Sequence, residues 1–221
     1  MIDMHTHVLP IDNGAKNFDE AVEMCRVASK NGIRKIVCTP HVFAEGYHND
    51  IDKILENMKK LQGLLKKEKI DIKLIQGAEN DLASTVTINK TKYLLVDLEF
   101  TDVPVYAEDR IRELLRDFYV IIAHPERNRK IQEKPEIAVK FVELGCYVQI
   151  NAASVLAKDE RRKVVEFLIK NNAVHFIATD MHNVDGAASL IKAVEEAKKL
   201  SDRAMDFVTT NPEKVIAGQK I

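Results

Sequence analysis

Seven short apolar runs punctuate the chain, and each ends on a polar side chain. They are Ile2 to His7, Lys35 to His41, Ile72 to Glu79, Tyr93 to Glu99, Val120 to His124, Tyr147 to Asn151 and His175 to His182. Apolar runs this short predict strands. Between most of them, apolar positions recur at helical spacing instead. Asn17, with Glu20 three residues on, predicts a capped helix ending near Gly32, with Ala21, Met24, Cys25 and Ala28 on its inner face. Ile54, Leu55, Met58, Leu61 and Leu65 predict a long helix over Ile51–Lys67. Further helices are predicted over 108–117, 135–144, 159–171 and 187–200, with Pro135 suited to a first turn and Gly145 to a C-terminal stop. Asn211-Pro212 opens a last short helix that ends near Gly218. The connection 81–92 is Thr-rich without helical period, and 204–210 leaves an eighth strand open.

Strand and helix in alternation predict parallel strands, hence an α/β fold, and 221 residues, 46% of them hydrophobic, suffice for one such domain spanning 1–221. In closed α/β barrels the chemistry gathers at the C-terminal ends of the strands. Six of the seven runs deliver His, Glu or Asp there.

Charge narrows the partners. With 33 basic and 34 acidic residues the net charge is −1, so no general attraction to nucleic acid or an anionic membrane is expected. The chain opens directly on its first strand and no apolar stretch reaches membrane-spanning length, so neither export nor membrane insertion is expected. Cys25, Cys38 and Cys146 show no CxxC spacing and are expected to be reduced core residues of a cytoplasmic protein.

Residues two apart on a strand face the same way, so His5 and His7 can grip one ion, and Asp180 and His182 repeat that geometry near the other end of the chain. His41, Glu79, Glu99 and His124 stand on four further strand ends. Imidazoles and carboxylates without thiolates favour zinc, manganese or iron over calcium, and these ligands outnumber what one ion takes. Two or three divalent ions are therefore expected. Such a cluster makes water acidic enough to be a nucleophile near neutrality and suits hydrolysis of phosphate esters. Arg127 and Arg129, just past His124, are candidate phosphate-binding residues because a guanidinium can grip phosphate in bidentate fashion. No phosphate-binding thiolate loop follows any cysteine, and neither GxxxxGK[ST] nor GxGxxG occurs. His48 and His175 fall outside the ligand pattern and are read as structural.

The segments Met1-Ile2-Asp3-Met4-His5-Thr6-His7, Thr39-Pro40-His41, Gly77-Ala78-Glu79, Leu98-Glu99-Phe100, Ala123-His124-Pro125-Glu126-Arg127 and Thr179-Asp180-Met181-His182-Asn183 resemble, in order and spacing, the PHP (polymerase and histidinol phosphatase) superfamily. The whole chain is most similar to the bacterial manganese-dependent protein tyrosine phosphatases of capsule and exopolysaccharide systems. That resemblance implies a distorted, TIM-like (β/α)7 barrel with a trinuclear centre, most readily Mn2+, with Fe or Zn as alternatives. It implies one ion on His5, His7, Glu79 and Asp180, a second shared by Glu79 with Glu99 and His124, and a third on His41 and His182. The family's further acidic ligand to the third ion falls on Asn13 here, so that either neighbouring Asp12 substitutes or the third site is weaker. Where some relatives carry a phosphate-binding arginine after Asp-Gly, this chain has Ala187. Arg127, Asp180 and His182 form the implied catalytic set. The implied substrate is phosphotyrosine in a protein, the tail of a bacterial tyrosine kinase that controls polysaccharide export. A small-molecule phosphatase acting on a substrate such as histidinol phosphate, or a metal-binding scaffold without turnover, is the competing expectation.

Overall fold

The structure is a computed structural model that describes residues 1–42, 47 and 49–221. Its strand segments are β1 (Ile2–Thr6), β2 (Lys35–Cys38), β3 (His41–Val42), β4 (Lys73–Gln76), β5 (Glu79–Asn80), β6 (Tyr93–Val96), β7 (Tyr119–Ala123), β8 (Tyr147–Asn151) and β9 (Phe176–Ala178). Helices α1 (Phe18–Lys30), α2 (Ile51–Lys67), α3 (Ala107–Leu114), α4 (Arg129–Glu133), α5 (Glu136–Glu143), α6 (Ala152–Val155), α7 (Glu160–Lys170), α8 (Ser189–Ala197) and α9 (Thr210–Ile216) fill the connections. All strand pairs are parallel, in the orders β1-β2-β4 and β3-β5-β6-β7-β8-β9.

These nine segments make seven strands. β2 and β3 are halves of one run interrupted at Thr39-Pro40, where proline has no N–H to give a ladder. β4 and β5 are likewise interrupted at Gly77-Ala78. A Cβ on Gly77 would lie 2.6 Å from a Val37 methyl, so this close approach of two strands requires glycine. First and last strands meet at the C-terminal rim, where His7 N donates to Met181 O (3.0 Å) and Asp180 N to His5 O (2.9 Å). Below that rim, buried Asp3 accepts hydrogen bonds from the Thr179 backbone and hydroxyl. The ring is thereby joined into the TIM-like barrel, without a continuous ladder between β1 and β9.

Side chains alternate across the ring wall. Ile2, Met4, Val37, Ile75, Tyr93, Leu95, Ile121, Tyr147 and Phe176 pack together as an inner core, whereas Leu94, Val96, Val120, Ile122, Val148, Ile150 and Ile177 pack against the helices. Followed toward the C-terminal rim, the inward phase changes from apolar to polar. Tyr93 and Leu95 lead to Asp97, Ile75 to Glu79, Tyr147 to Gln149 and Asn151, and Phe176 and Ala178 to Asp180. On β1 the register shifts between Asp3 and Thr6, which lets His5 and His7 follow Ile2 and Met4 inward.

The expected helices appear, α2 with the expected bounds and the others with ends displaced by up to three residues, and Asn17 caps α1 by accepting from Glu20 N. The one-turn helices α4 and α6 have no sequence-level periodicity. Residues 204–210 contain a single 3-10 turn, Asp206–Val208, and no strand. No helix among the described residues is long and apolar enough to cross a membrane. All three cysteines are free and buried. His48 lies outside the described residues.

His175 has the structural role expected of it. Burial, with the Arg203 charge adding to it, pushes its pKa down to about 4, and Nδ1 accepts a hydrogen bond from Val148 N (3.1 Å). The folded state therefore holds a neutral imidazole that the unfolded chain protonates near its ordinary value of about 6.5. Stability is fully present above pH 6.5 and declines as pH falls toward 4, by about 2 kcal/mol between pH 7 and pH 5 from this group. Urea titrations of metal-free wild type and His175→Asn, whose amide oxygen can still accept from Val148, should show this share of the decline only in wild type. Parallel declines in the two proteins would exclude His175 as its source.

Candidate metal centre

Inside the C-terminal rim, Glu79 stands at the centre of a buried group of histidines. Its Oε2 lies 3.3 Å from His5 Nε2, 3.2 Å from His7 Nε2 and 3.1 Å from His41 Nδ1, and its Oε1 lies 2.9 Å from His124 Nε2. Asp180 faces two of these imidazoles from the turn after β9, with Oδ1 3.4 Å from His5 Nε2 and 3.3 Å from His7 Nε2. Three sets of ligand atoms come within 4.8 Å of one another: those of His5, His7 and Asp180; of His5, Glu79 and His124; and of His7, His41 and His182. His124 and Asp180 both adopt left-handed backbone, with φ of 30° and 51°. For non-glycine residues this costs about 1 kcal/mol or more, and such strain gathers at functional sites.

The electrostatics call for cations. Burial opposes charge on Glu79, yet the His5 charge and the hydrogen bonds from His124, His5 and His7 hold it well below the usual carboxylate range. Asp180 is held low by His5, His7 and His124. In return, Asp12, Asp180 and Glu79 raise His7 well above its ordinary value, and Glu79 lifts His124 to about 9. Protons on imidazoles thus supply the positive charge these carboxylates need. Buried Asp180 Oδ1 has no hydrogen-bond partner. An acceptor left unsatisfied among inward-facing nitrogens is costly, and a divalent ion would satisfy it, so these residues fit the expected metals.

Three expected site residues stand elsewhere. Glu99 is exposed, with φ of 70°, and lines a neighbouring cavity of about 270 Å³ with Tyr106 and Arg110, outside every ligand set. The inward carboxylate on this strand is Asp97, whose Oδ1 lies 3.9 Å from His124 Nδ1 and whose pKa burial raises. The strand ends at Val96 and turns, so the inward phase stops at Asp97. Asp97→Asn is expected to weaken Mn2+ binding on the order of a hundredfold, whereas Glu99→Gln should leave it unchanged. Isothermal titration of both variants checks this, and the reverse ranking would restore Glu99.

Asp12 stands behind His7 instead of among the ligand atoms. Its Oδ2 lies 2.6 Å from His7 Nδ1 and accepts from His41 N, and its Oδ1 accepts from Gly14 N. A carboxylate on the far ring nitrogen orients an imidazole and makes it a better ligand. The loop closes this tightly because a Cβ on Gly14 would lie 1.8 Å from His7 O. Arg129 is exposed at the start of α4 and does not line the cleft described next.

Beside the cluster opens a cleft of about 730 Å³, lined by Asn13, Arg127, Ser154, Arg161, Asp180 and His182 among others. Arg127 Nη1 donates to Asp180 Oδ2 (2.5 Å), and its guanidinium lies 4.4 Å from the centre of the Phe100 ring. Arg161 was not anticipated. It lies in the first turn of α7, remote in sequence from any strand end, and carries no sequence signal. Ala187 is fully buried.

The model of the family described as capsular polysaccharide synthesis, CpsB/CapC, matches residues 1–217. The chain belongs to the CpsB/CapC family. Tyrosine-protein phosphatase YwqE of Bacillus subtilis is 38% identical over 199 residues, covering 83% of this chain and 78% of the relative. The putative tyrosine-protein phosphatase CapC of Staphylococcus aureus is 30% identical over 214 residues, 90% of this chain and 84% of the relative. Among solved structures, one from the pair YwqE of Bacillus subtilis and CpsB of Streptococcus pneumoniae, described as unique metal-dependent tyrosine phosphatases, superposes with a TM-score of 0.91 at 33% identity. It covers 100% of this chain and 96% of that one. The lactonase Lmo2620 of Listeria monocytogenes, at 11% identity and a TM-score of 0.58, shares the fold alone.

Proposed function

We propose that this CpsB/CapC protein is a metal-dependent phosphatase that hydrolyses phosphotyrosine in proteins. The carrying observation is the buried Glu79 and Asp180 cluster of imidazoles with Arg127 beside it at the mouth of a cleft. Both named relatives above carry tyrosine phosphatase names, which supports the substrate class. His5, His7, Glu79 and Asp180 would hold one divalent ion, Glu79 and His124 a second, with Asp97 behind the His124 ring, and His41 with His182 a third, Mn2+ being the first choice. Bound there, such ions would make water acidic enough to attack near neutrality and would offset phosphoryl charge.

The chain's own groups do the rest. Arg127, anchored on Asp180 and stacked on Phe100, presents its remaining N–H groups to the equatorial phosphoryl oxygens. With Ala187 buried, the grip falls on Arg127. His41 and His182 are the more exposed ligands, at 19% and 30%, so substrate approaches from their side. An open cleft suits a phosphotyrosine on a flexible segment, and the family's link to capsular polysaccharide synthesis points to the tyrosine-rich tail of a kinase in that system.

Phosphate release by metal-stripped protein, with and without Mn2+, from a phosphotyrosine peptide and from histidinol phosphate tests the reading. Mn2+-dependent turnover of the peptide, at least about tenfold above histidinol phosphate in kcat/KM, is expected. Preference for histidinol phosphate, or silence on both, overturns the substrate assignment.

A further inference from the structure

The apolar run that ends on neither histidine nor carboxylate leads into the cluster nonetheless. Gln149 and Asn151, two apart on β8, face the barrel interior together and are 0% and 5% exposed. Gln149 Oε1 lies 2.9 Å from His5 Nδ1, Gln149 Nε2 donates to Asn151 Oδ1 at 2.8 Å, and Asn151 Nδ2 donates to Asp180 Oδ2 at 2.8 Å. Asn151 N donates to buried Glu126 Oε1 at 2.9 Å, which pins the second amide's backbone. Two buried amides on one strand thus connect a histidine of β1 to the aspartate that follows β9.

This chain of hydrogen bonds has only one direction. An ionised Asp180 can only accept, so Asn151 must turn its NH2 toward it and its carbonyl toward Gln149. Gln149 must then present NH2 to that carbonyl and its own carbonyl to His5. His5 Nδ1 must therefore carry a proton, which leaves Nε2 with a lone pair in the neutral ring. Nε2 is the atom 3.3 Å from Glu79 Oε2 and 3.4 Å from Asp180 Oδ1. Reversing either amide would bury two donors or two acceptors face to face.

We infer that Gln149 and Asn151 are positioning residues that lock His5 with its proton on Nδ1 and its Nε2 lone pair in the cluster, while holding Asp180 with Oδ1 turned the same way. The inference rests on the metal-binding part of the proposed function and is independent of the substrate. Gln149→Leu removes the relay. Gln149→Glu keeps an acceptor on His5 Nδ1, as Asp12 does on His7, and breaks only the link to Asn151.

Mn2+ affinity by isothermal titration is expected to fall about 10- to 100-fold in Gln149→Leu and to be retained in Gln149→Glu, with circular dichroism confirming that each is folded. A space-filling role would instead leave Gln149→Leu, of similar volume, close to wild type. The second readout is a long-range 1H–15N spectrum of 15N-histidine protein loaded with diamagnetic Zn2+. His5 of wild type and of Gln149→Glu should carry its proton on Nδ1, with metal on Nε2, and Gln149→Leu should lose that single pattern. Wild type with the proton on Nε2, or Gln149→Leu folded and binding Mn2+ as wild type does, overturns the inference while leaving the metal centre standing. Wild type that takes up neither ion removes the metal reading itself. Turnover enters neither readout, so failure of the phosphotyrosine assignment is seen separately.

Discussion

Replacement of Glu79 by glutamine is expected to cost at least one metal ion per chain and to lower kcat/KM toward a phosphotyrosine peptide by about a thousandfold or more, about 4 kcal/mol of transition-state stabilisation. The two oxygens of Glu79 serve opposite sides of the cluster, Oε2 facing His5, His7 and His41 and Oε1 facing His124. An amide of the same shape offers one oxygen and one NH2. Whichever way it turns, one side gains a donor where imidazole nitrogens already converge, and the negative charge shared between two ion sites is gone. Elemental analysis after dialysis, with kinetics on the same sample, separates metal loss from a purely chemical defect. A Glu79→Gln protein with full metal content and turnover within about tenfold of wild type would remove Glu79 from the centre of the site.

The same substitution bears on what the ligands do without metal. Glu79 keeps its charge because His5, His124 and His7 surround it, and it lifts His124 in return. Carboxylates and imidazoles therefore hold one another's protons until cations displace them. Metal uptake near neutrality must then release protons, which makes affinity rise with pH.

Much of this architecture is legible in the sequence because a barrel strand repeats with period two and changes from apolar to polar at one end. His5, His7, His41, Glu79, His124, Asp180 and His182 could be picked as the terminal polar residues of their runs, and the structure brings these side chains together. Glu99 shows where that rule stops. Asp97 and Glu99 share the inward phase of Tyr93 and Leu95, and only the end of the strand at Val96 and the turn at Glu99 separate them. Periodicity sets the phase of a strand but not the residue at which the backbone leaves it.

Asp12 was legible as chemistry but not as a role. A carboxylate in the first loop can reach either an ion or the back of a ligating histidine, and the close turn permitted by Gly14 decides for His7 Nδ1. Gln149 and Asn151 were missed for the opposite reason. Neutral amides inside an apolar run read as the polar end of a strand, and their meaning emerges only when His5 and Asp180 are found at either end of the pair. Arg161 depends on the docking of α7 beside the rim, a tertiary relation that helix periodicity does not encode.

Arg127→Ala is expected to lower kcat/KM for the phosphotyrosine peptide by about 10² to 10³-fold, the range found when a preorganised donor to a developing oxyanion is removed, while leaving metal content unchanged. Its guanidinium is held on one side by Asp180 and on the other by the face of Phe100, which fixes the plane in which its free N–H groups point. Lysine can restore a positive charge but neither the stacked plane nor a bidentate grip, so Arg127→Lys should recover no more than about tenfold of the loss. Interactions with phosphate exist in the ground state and strengthen as charge shifts during transfer, so both a higher KM and a lower kcat are expected. Loss of metal in Arg127→Ala would show that the residue acts by restraining Asp180, since Oδ2 would then keep only its bond from Asn151. Unchanged metal with full recovery by lysine would reduce Arg127 to a point charge at the mouth of the cleft.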